Sequence, residues 1–331
     1  MTKIIMFGVR EDEKDAALNW AEANAVDLTL TDELLTMDNV DRVKGFDGLS
    51  IQQTIKVDNQ IYPRLQTFGI KQIAQRSAGF DMYDLDEARK NDIIISNVPS
   101  YSPNSIAEYA VTAALQLVRK TDLIQQRVAA QDFRWQKSIM AKEIKSLQVA
   151  IIGTGRIGQI TAQIFKGFGA KIVGFDLYPN EQAKQHLEYK DTIEEAVENA
   201  DIVSIHMPAT KDNYHLFDEA LFAHFKDGAV FINTARGTVV DTQALLTAID
   251  SGKLAGAALD TYENETSYFP KDFRGQTITD QVMLELISRR DVILTPHIAF
   301  YTNIAVQNLV EGGLDATLSV IQTGTCDTRL N

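Results

Sequence analysis

Three side chains that can bind or protonate a small acid follow apolar runs typical of buried strands. His206 and His297 each stand at the end of such a run, and Arg236 comes just after the apolar run 230–232. An imidazole exchanges protons near neutral pH, and a guanidinium pairs with a carboxylate through two parallel hydrogen bonds. Because ligands of open parallel sheets gather at the carboxyl ends of the strands, these residues predict a site that binds a carboxylate and transfers a proton. Either histidine could be the donor. The other three histidines lie in stretches typical of a solvated surface, a loop and a helix edge: His186, His215 and His224.

Three carboxylates could hold such a histidine in its charged form. Asp260 ends the strand candidate 255–260, and Glu263 and Glu265 lie in the loop that follows. A carboxylate beside an imidazole favours the protonated ring. The spacing does not choose among the three carboxylates, so all three stay candidates.

A glycine-rich turn joins the strand candidate 147–152 to an amphipathic stretch. Gly153, Gly155 and Gly158 have the spacing G-x-G-x-x-G in the strand–turn–helix context that a dinucleotide site requires. The glycines permit a tight turn, a close approach of pyrophosphate and close helix packing, and the helix N-terminus attracts the phosphate. Asp176 ends the next strand near the expected spacing of ~20 residues. A carboxylate there binds a ribose and repels an extra phosphate, which favours NAD over NADP.

Apolar runs alternate with amphipathic stretches along the chain, which is typical of parallel α/β architecture. The strand candidates form one series at 3–9, 27–32, 48–53, 71–76 and 93–98, and another at 147–152, 171–176, 201–206, 229–234, 255–260 and 292–295. Helical stretches between them include 12–25, 59–68, 156–168, 192–199, 242–251 and 281–289. Six strands with crossover helices fit a doubly wound dinucleotide fold.

Two longer helices are predicted outside this alternation. Ser102 can cap the first and Pro103 suits its first turn, and a helical period then continues without glycine to about Arg134. A helix of that length would bridge two domains. The stretch Asn303–Thr323 is also amphipathic and could fold back on the first series of strands, which would make that domain discontinuous.

Composition excludes several classes of function. Acidic residues outnumber basic ones by 45 to 32, and the net charge of −13 makes nucleic acid an unexpected partner. No apolar run reaches the ~18 residues of a membrane helix, and the run 4–9 is too short for a signal peptide. We therefore expect a cytoplasmic protein with no membrane partner. The single cysteine, Cys326, excludes an internal disulfide and a thiolate metal cluster, and no metal site is expected.

The chain resembles the D-isomer-specific 2-hydroxyacid dehydrogenases along essentially its whole length, and within them the bacterial lactate-forming members. The most specific stretches are 95–104, 149–158, 233–237, 258–265 and 295–302. The resemblance implies an α/β fold with two doubly wound parallel-sheet domains and a cleft between them. These would be a flavodoxin-like substrate domain, 1–101 plus 299–331, and a Rossmann NAD-binding domain, 102–298. The implied reaction is the NADH-dependent reduction of a small 2-keto acid, such as pyruvate, to the D-hydroxy acid.

The resemblance also implies a role for individual residues. Arg236 would bind the substrate, His297 would donate the proton, and Glu265 would be its carboxylate partner. The backbone N–H groups of Ala78 and Gly79, with Tyr101, would hold the substrate carboxylate. The residues implied around NAD, besides the three glycines, are Arg156, Ile157, Asp176, Met207, Pro208, Asn213, Thr234 and Asp260. The family pairs through its dinucleotide domain, so a homodimer is expected.

One departure from the family pattern concerns the substrate. Many lactate-forming relatives have tyrosine where this chain has Ile51, at a position that faces the substrate side chain. A smaller residue predicts room for bulkier keto acids, such as 2-ketoisocaproate or phenylpyruvate. Relatives that use glyoxylate, hydroxypyruvate or 3-phosphoglycerate, and an NAD-sensing module on the same fold, are further alternatives.

Overall fold

The computed structural model describes every residue from 1 to 331, and the chain divides into two units. The first unit contains Met1–Ser102 and Tyr301–Asn331, and the second contains Pro103–Phe300. That the first serves the substrate and the second the cofactor stays a prediction.

Twelve strands and eleven α-helices make up the two units. The strands are β1 Lys3–Phe7, β2 Asp27–Leu30, β3 Gly48–Ile51, β4 Gln72–Gln75, β5 Ile94–Ser96, β6 Gln148–Ile152, β7 Lys171–Phe175, β8 Glu188–Tyr189, β9 Ile202–Ile205, β10 Ala229–Asn233, β11 Leu254–Leu259 and β12 Val292–Leu294. The helices are α1 Lys14–Asn24, α2 Ile61–Thr67, α3 Leu85–Lys90, α4 Pro103–Arg119, α5 Thr121–Ala129, α6 Arg156–Gly167, α7 Ile193–Val197, α8 Glu219–Ala223, α9 Thr242–Asp250, α10 Gln281–Ser288 and α11 Asn303–Thr323.

Each unit is built on one parallel sheet. The first sheet has the order β2-β1-β3-β4-β5, and the second has the order β12-β11-β10-β9-β6-β7-β8. Every strand pair in both sheets is parallel. The central strands are rich in Val, Ile and Ala and are buried along their length because helices cover both faces. The expected doubly wound α/β fold is confirmed.

The long helix expected from Pro103 to about Arg134 is wrong. The structure ends α4 at Arg119 because Lys120 adopts a left-handed backbone with a φ of 53°. A new helix, α5, follows, and none of its residues is buried. Apolar periodicity alone did not reveal this break, since no glycine or proline marks it. Both helices belong to the second unit.

The helix α11 has the bounds expected from the sequence. The Thr302 hydroxyl accepts a hydrogen bond from the N–H of Ala305 at its start, and Gly324 ends it with a φ of 83°. The helix belongs to the first unit, although it comes last in the chain. Gly313 lets it lie close to β4, because a Cβ there would be 2.8 Å from the side chain of Arg76.

Candidate active site

The carboxyl ends of six strands in the second sheet lie in one register. The last residues of these strands pair with each other in the order Phe175, Ile152, Ile205, Asn233, Leu259 and Leu294. The residues that follow them line one edge of the sheet: Asp176, Gly153, His206, Thr234, Asp260 and Thr295. Because parallel strands lie about 4.8 Å apart, candidates that are distant in sequence become neighbours along this edge.

The glycine turn has the geometry of a dinucleotide-binding loop. Gly153 has a φ of 89°, and a Cβ there would lie 2.7 Å from the carbonyl oxygen of His206. A Cβ on Gly158 would collide with the carbonyl of Gly153, so only glycine lets α6 start so close to β6. A Cβ on Gly155 would meet nothing within 4 Å, and no side chain caps α6 at this residue. The open space and the free N–H groups at the helix start fit a pyrophosphate.

Asp176 is tied to this turn. Its Oδ2 accepts hydrogen bonds from the N–H of Thr154, at 2.6 Å, and from the Thr154 hydroxyl, at 3.1 Å. Its Oδ1 accepts from the N–H of Tyr178, and the side chain stays partly exposed, which leaves acceptor capacity for ribose hydroxyls. Thr154 is fully buried and also bonds to the Tyr189 hydroxyl at 2.5 Å. Sequence reasoning missed Thr154, although its place between the first two glycines was a signal.

Of the remaining residues expected around the cofactor, two lie at the start of α6 and three lie in the loop after β9. Arg156 is exposed and Ile157 half-buried at the start of α6. The Asn213 amide donates to the carbonyl of Pro208 at 2.8 Å and accepts from the N–H of Thr210 at 2.7 Å. The Asn213 side chain therefore closes the loop that begins at Met207 and is not a free polar group.

Three buried polar atoms at adjacent strand ends have no hydrogen-bond partner. They are Nδ1 of His206 and the hydroxyl oxygens of Thr234 and Thr261. Such orphaned groups cost free energy unless a ligand or water satisfies them. Together with the open space at Gly155, these groups at the ends of β9, β10 and β11 fit NAD as the ligand of this edge.

The structure distinguishes His206 from His297, which the strand pattern left as equal candidates for the proton donor. Burial lowers the pKa of His206 to about 3, so this ring is neutral near pH 7 and is no proton donor. Its Nε2 lies 2.9 Å from the Ser204 hydroxyl. The His297 ring is partly exposed, and its Nδ1 lies 2.9 Å from Oε1 of Glu265. This leaves Nε2 of His297 without a protein partner and able to face a substrate.

Asp260 holds the turn that carries His297. Its Oδ1 accepts from the Thr295 hydroxyl at 2.6 Å and from the N–H of Ile298 at 2.9 Å, and its Oδ2 accepts from the N–H of Ala299 at 2.8 Å. His297 itself has a φ of 55°, a backbone conformation that few residues adopt. Because these donors engage the nearly fully buried carboxylate, Asp260 fixes the backbone around His297. Its expected place beside NAD stays a prediction.

The two glutamates in the turn after β11 contact different histidines. Glu265 accepts from the N–H of Tyr262 through Oε2 at 3.0 Å and faces His297 through Oε1. Tyr262 is buried, which raises its pKa to about 12, and its hydroxyl donates to Asp280 at 2.9 Å. Glu263 lies 2.9 Å from Nε2 of His215 instead. Of the two glutamates, only Glu265 contacts His297.

Arg236 has no carboxylate partner in the protein. Asn233 fixes the turn by donating to the Arg236 carbonyl at 3.0 Å and accepting from the N–H of Ala235 at 2.9 Å. The Arg236 guanidinium donates to the Ala235 carbonyl at 2.8 Å and belongs to none of the ion pairs of the chain. This partly exposed cation can therefore pair with an anionic ligand.

In the first unit, the loop after β4 presents free N–H groups. The carbonyl of Ala78 accepts from the Asn97 amide at 2.7 Å, and that of Gly79 accepts from the Ser77 hydroxyl at 2.7 Å. The N–H groups of Ala78 and Gly79 form no hydrogen bond within the protein. Tyr101 is held through its carbonyl, which accepts from the Asn308 amide at 2.5 Å.

Ile51, which was expected to face the substrate side chain, is buried in the first unit. Its side chain is 0 % exposed and belongs to the hydrophobic core cluster that also contains Tyr62 and Tyr83. This burial gives no support to the expected contact with the substrate. We therefore expect Ile51 to influence substrate choice only through packing, because β-strand side chains alternate between faces and this one points into the core.

The chain contains no cluster of three or more histidine, cysteine, aspartate or glutamate side chains that could hold a metal ion. Among its helices, none is both long and apolar enough to cross a membrane.

Comparison with known proteins agrees with this geometry. The family model for the D-isomer specific 2-hydroxyacid dehydrogenase, NAD binding domain, matches residues 111–299. A D-lactate dehydrogenase of Staphylococcus epidermidis is 56% identical over 100% of both chains. Among solved structures, a D-lactate dehydrogenase of Treponema pallidum is 44% identical over 100% of both chains, with a TM-score of 0.94. D-2-hydroxyisocaproate dehydrogenase is 36% identical over 99% of both chains, also with a TM-score of 0.94. The chain belongs to the D-isomer-specific 2-hydroxyacid dehydrogenase family.

Proposed function

We propose that this protein is an NAD-dependent D-lactate dehydrogenase that reduces pyruvate to D-lactate, reversibly. The observation that carries the proposal is the pairing of His297 with Glu265, together with an unpaired Arg236, on turns that follow the consecutive parallel strands β12, β11 and β10. A proton donor and a free cation are what the reduction of a keto acid requires from a protein. The name of the relative that is 56% identical, D-lactate dehydrogenase, supports the same reaction.

In the proposed mechanism, each side chain has one task. Arg236 pairs with the substrate carboxylate and polarises the keto oxygen. NADH, when bound at the glycine turn, supplies the hydride that the keto carbon receives. Nε2 of His297 donates its proton to the keto oxygen as negative charge develops there, and Glu265 stabilises the imidazolium beforehand. In the reverse direction, neutral His297 accepts the hydroxyl proton of D-lactate.

We propose separately that the loop after β4 in the first unit binds an anion. The N–H groups of Ala78 and Gly79 have no acceptor within the protein, whereas both carbonyls are bonded. Adjacent free N–H groups in a loop bind carboxylates well. We assign them, with Tyr101, to the carboxylate of the substrate.

A preference for bulkier 2-keto acids is the alternative. It is supported by the likeness to D-2-hydroxyisocaproate dehydrogenase and by isoleucine in place of tyrosine at position 51. The complete burial of Ile51 weakens the argument from this side chain.

A panel of 2-keto acids tests both proposals. NADH oxidation is followed with pyruvate, 2-ketoisocaproate and phenylpyruvate, and the product is resolved by chiral chromatography. The proposal predicts the highest kcat/KM with pyruvate and a product of D configuration. A higher kcat/KM with phenylpyruvate or 2-ketoisocaproate selects the alternative, and an L product or no NADH oxidation contradicts both.

We also propose that the protein is a homodimer that pairs through the second unit. The segment from the end of α5 to β6 exposes several large apolar side chains, and Trp135 is 97% exposed. The others in this segment are Val128, Phe133 and Met140. Isolated proteins seldom leave such a group uncovered, and a second copy would cover it. Light scattering should give twice the chain mass of 36.8 kDa, and a monomer at micromolar concentration would contradict this proposal.

A further inference from the structure

A second histidine–glutamate pair lies on the same turn as the proposed catalytic pair. Nε2 of His215 is 2.9 Å from Oε2 of Glu263, which is two residues before Glu265. Nδ1 of His215 is 3.9 Å from Oδ2 of Asp241, whose other oxygen caps α9. The Tyr214 ring stacks on the imidazole at 4.0 Å. The groups around the ring are therefore Glu263, Asp241 and Tyr214.

The backbone of His215 reaches the turn that carries Arg236. Its N–H donates to the carbonyl of Thr238 at 2.9 Å, two residues after Arg236. The side chain of His215 thus contacts the turn of Glu263, and its backbone contacts the turn that follows Arg236. His215 has a φ of 51°, a conformation that a non-glycine residue keeps only where its surroundings fix it.

The two turns are also packed directly against each other. A Cβ on Gly237 would collide with the peptide between Tyr262 and Glu263, so the backbones touch at this point. The turn of Glu265 is closed by its own N–H, which donates to the Tyr262 carbonyl at 3.0 Å. A small shift at Glu263 would therefore move Glu265 and the peptide next to Arg236 together.

We propose that the His215–Glu263 pair is a positioning pair that locks the turn of Arg236 to the turn of Glu265. It touches neither substrate nor cofactor in this proposal. It keeps the guanidinium and the charged imidazolium at the spacing that one keto acid requires. The inference rests on the proposed function, because the two turns need a fixed spacing only if both act on one substrate.

The variants His215→Ala, Glu263→Ala and the double variant test this pairing. We expect each to lower kcat/KM for pyruvate about tenfold or more, since displacement of catalytic groups by about 1 Å costs up to about 10²-fold. The loss should include both a higher KM, from displaced Arg236, and a lower kcat, from displaced Glu265. The double variant should lose no more than the worse single variant, because the two residues act as one unit.

Two measurements separate positioning from general stability. The dissociation constant of NADH, followed by fluorescence, should stay within about twofold of the original, since Thr210 and Pro208, and not His215, hold the Asn213 side chain in the loop expected beside NAD. Activity is expressed per NADH-binding site, so partial unfolding does not mimic a catalytic loss. The matched control is His224→Ala, which removes an exposed histidine of the same unit and should leave kcat/KM unchanged.

Two results would overturn the inference. One is a kcat/KM within about twofold of the original in both single variants. The other is a double variant whose loss equals the product of the single losses. If the unaltered protein reduces no 2-keto acid, the proposed function fails as well. If it reduces pyruvate while the variants match it, the positioning role alone is wrong.

Discussion

The two sides of the carboxyl edge of the second sheet are built in different ways. On the glycine side, past β6 and β7, the groups that fit a ligand are backbone N–H groups exposed by Gly153 and Gly155, with Asp176 fastened to the same turn. On the histidine side, past β10 to β12, side chains are held by other side chains, as Glu265 is held against His297. The glycine side is local in sequence, whereas the histidine side forms only when distant strands align. Substitutions on the histidine side should therefore impair the reaction, and those on the glycine side should impair cofactor binding.

His297→Gln should have the largest effect. Glutamine cannot donate a proton as an acid, and the loss of a positioned general acid costs about 10²- to 10⁴-fold. We expect kcat with pyruvate to fall by that factor and the dissociation constant of NADH to stay within about twofold. Stopped-flow kinetics and NADH fluorescence on the same preparation check both. A rate within a few-fold of the original would contradict the assignment of His297 as the proton donor.

Arg236→Gln should have the next largest effect, mainly on substrate binding. Removing one partner of a charge-assisted pair with a carboxylate costs about 2–5 kcal/mol, or roughly 30- to 5,000-fold in kcat/KM. Steady-state kinetics should show a higher KM for pyruvate. Arg236→Lys is the matched control, because it keeps the charge but loses the planar bidentate geometry and should recover part of the loss. An unchanged KM in the glutamine variant would remove Arg236 from the substrate site.

Asp176→Ala should affect the glycine side alone. The loss of the ribose acceptor should weaken NADH binding about tenfold, as for a hydrogen bond to a charged group, and should relax discrimination against NADPH. The KM for pyruvate should stay unchanged at saturating NADH. Titrations with both cofactors test this, and a preserved preference for NADH would contradict the role of Asp176.

His206→Asn changes the residue that follows β9, between the glycine side and the histidine side. It should have the smallest of these effects, a change in the pH dependence of stability. Burial lowers the pKa of His206 to about 3 in the folded protein, while the pKa of a histidine in the unfolded chain is about 6.5. Between these values only the unfolded chain binds the proton, so this histidine reduces stability by up to about 1.4 kcal/mol per pH unit as the pH falls. Urea unfolding at about pH 6 and about pH 5 should show a shallower fall for the variant. An identical slope would mean that His206 is not buried in its neutral form.

The sequence predicted the glycine side from its own residues, because G-x-G-x-x-G next to a strand fixes a local backbone geometry. It also predicted that His206, Asp260 and His297 follow strand ends, since apolar runs mark buried strands. It did not separate His206 from His297, because their difference is burial and partner geometry. It assigned His215 to a loop and missed its contact with Glu263, because left-handed turns at non-glycine residues carry no sequence mark. The resemblance paired Glu265 with His297, and the structure shows these two side chains in contact. It also implied that Ile51 faces the substrate, whereas this side chain is buried. The functional roles of both residues stay predictions.

The central claim is that Arg236 and His297 act on the same substrate molecule. A crystal structure with NAD and oxamate, an unreactive analogue of pyruvate, tests it most directly. The account predicts that Nε2 of His297 and the Arg236 guanidinium both lie within hydrogen-bond distance of one oxamate, with Glu265 still on Nδ1. An oxamate bound to only one of them, with the other facing solvent, would contradict the account.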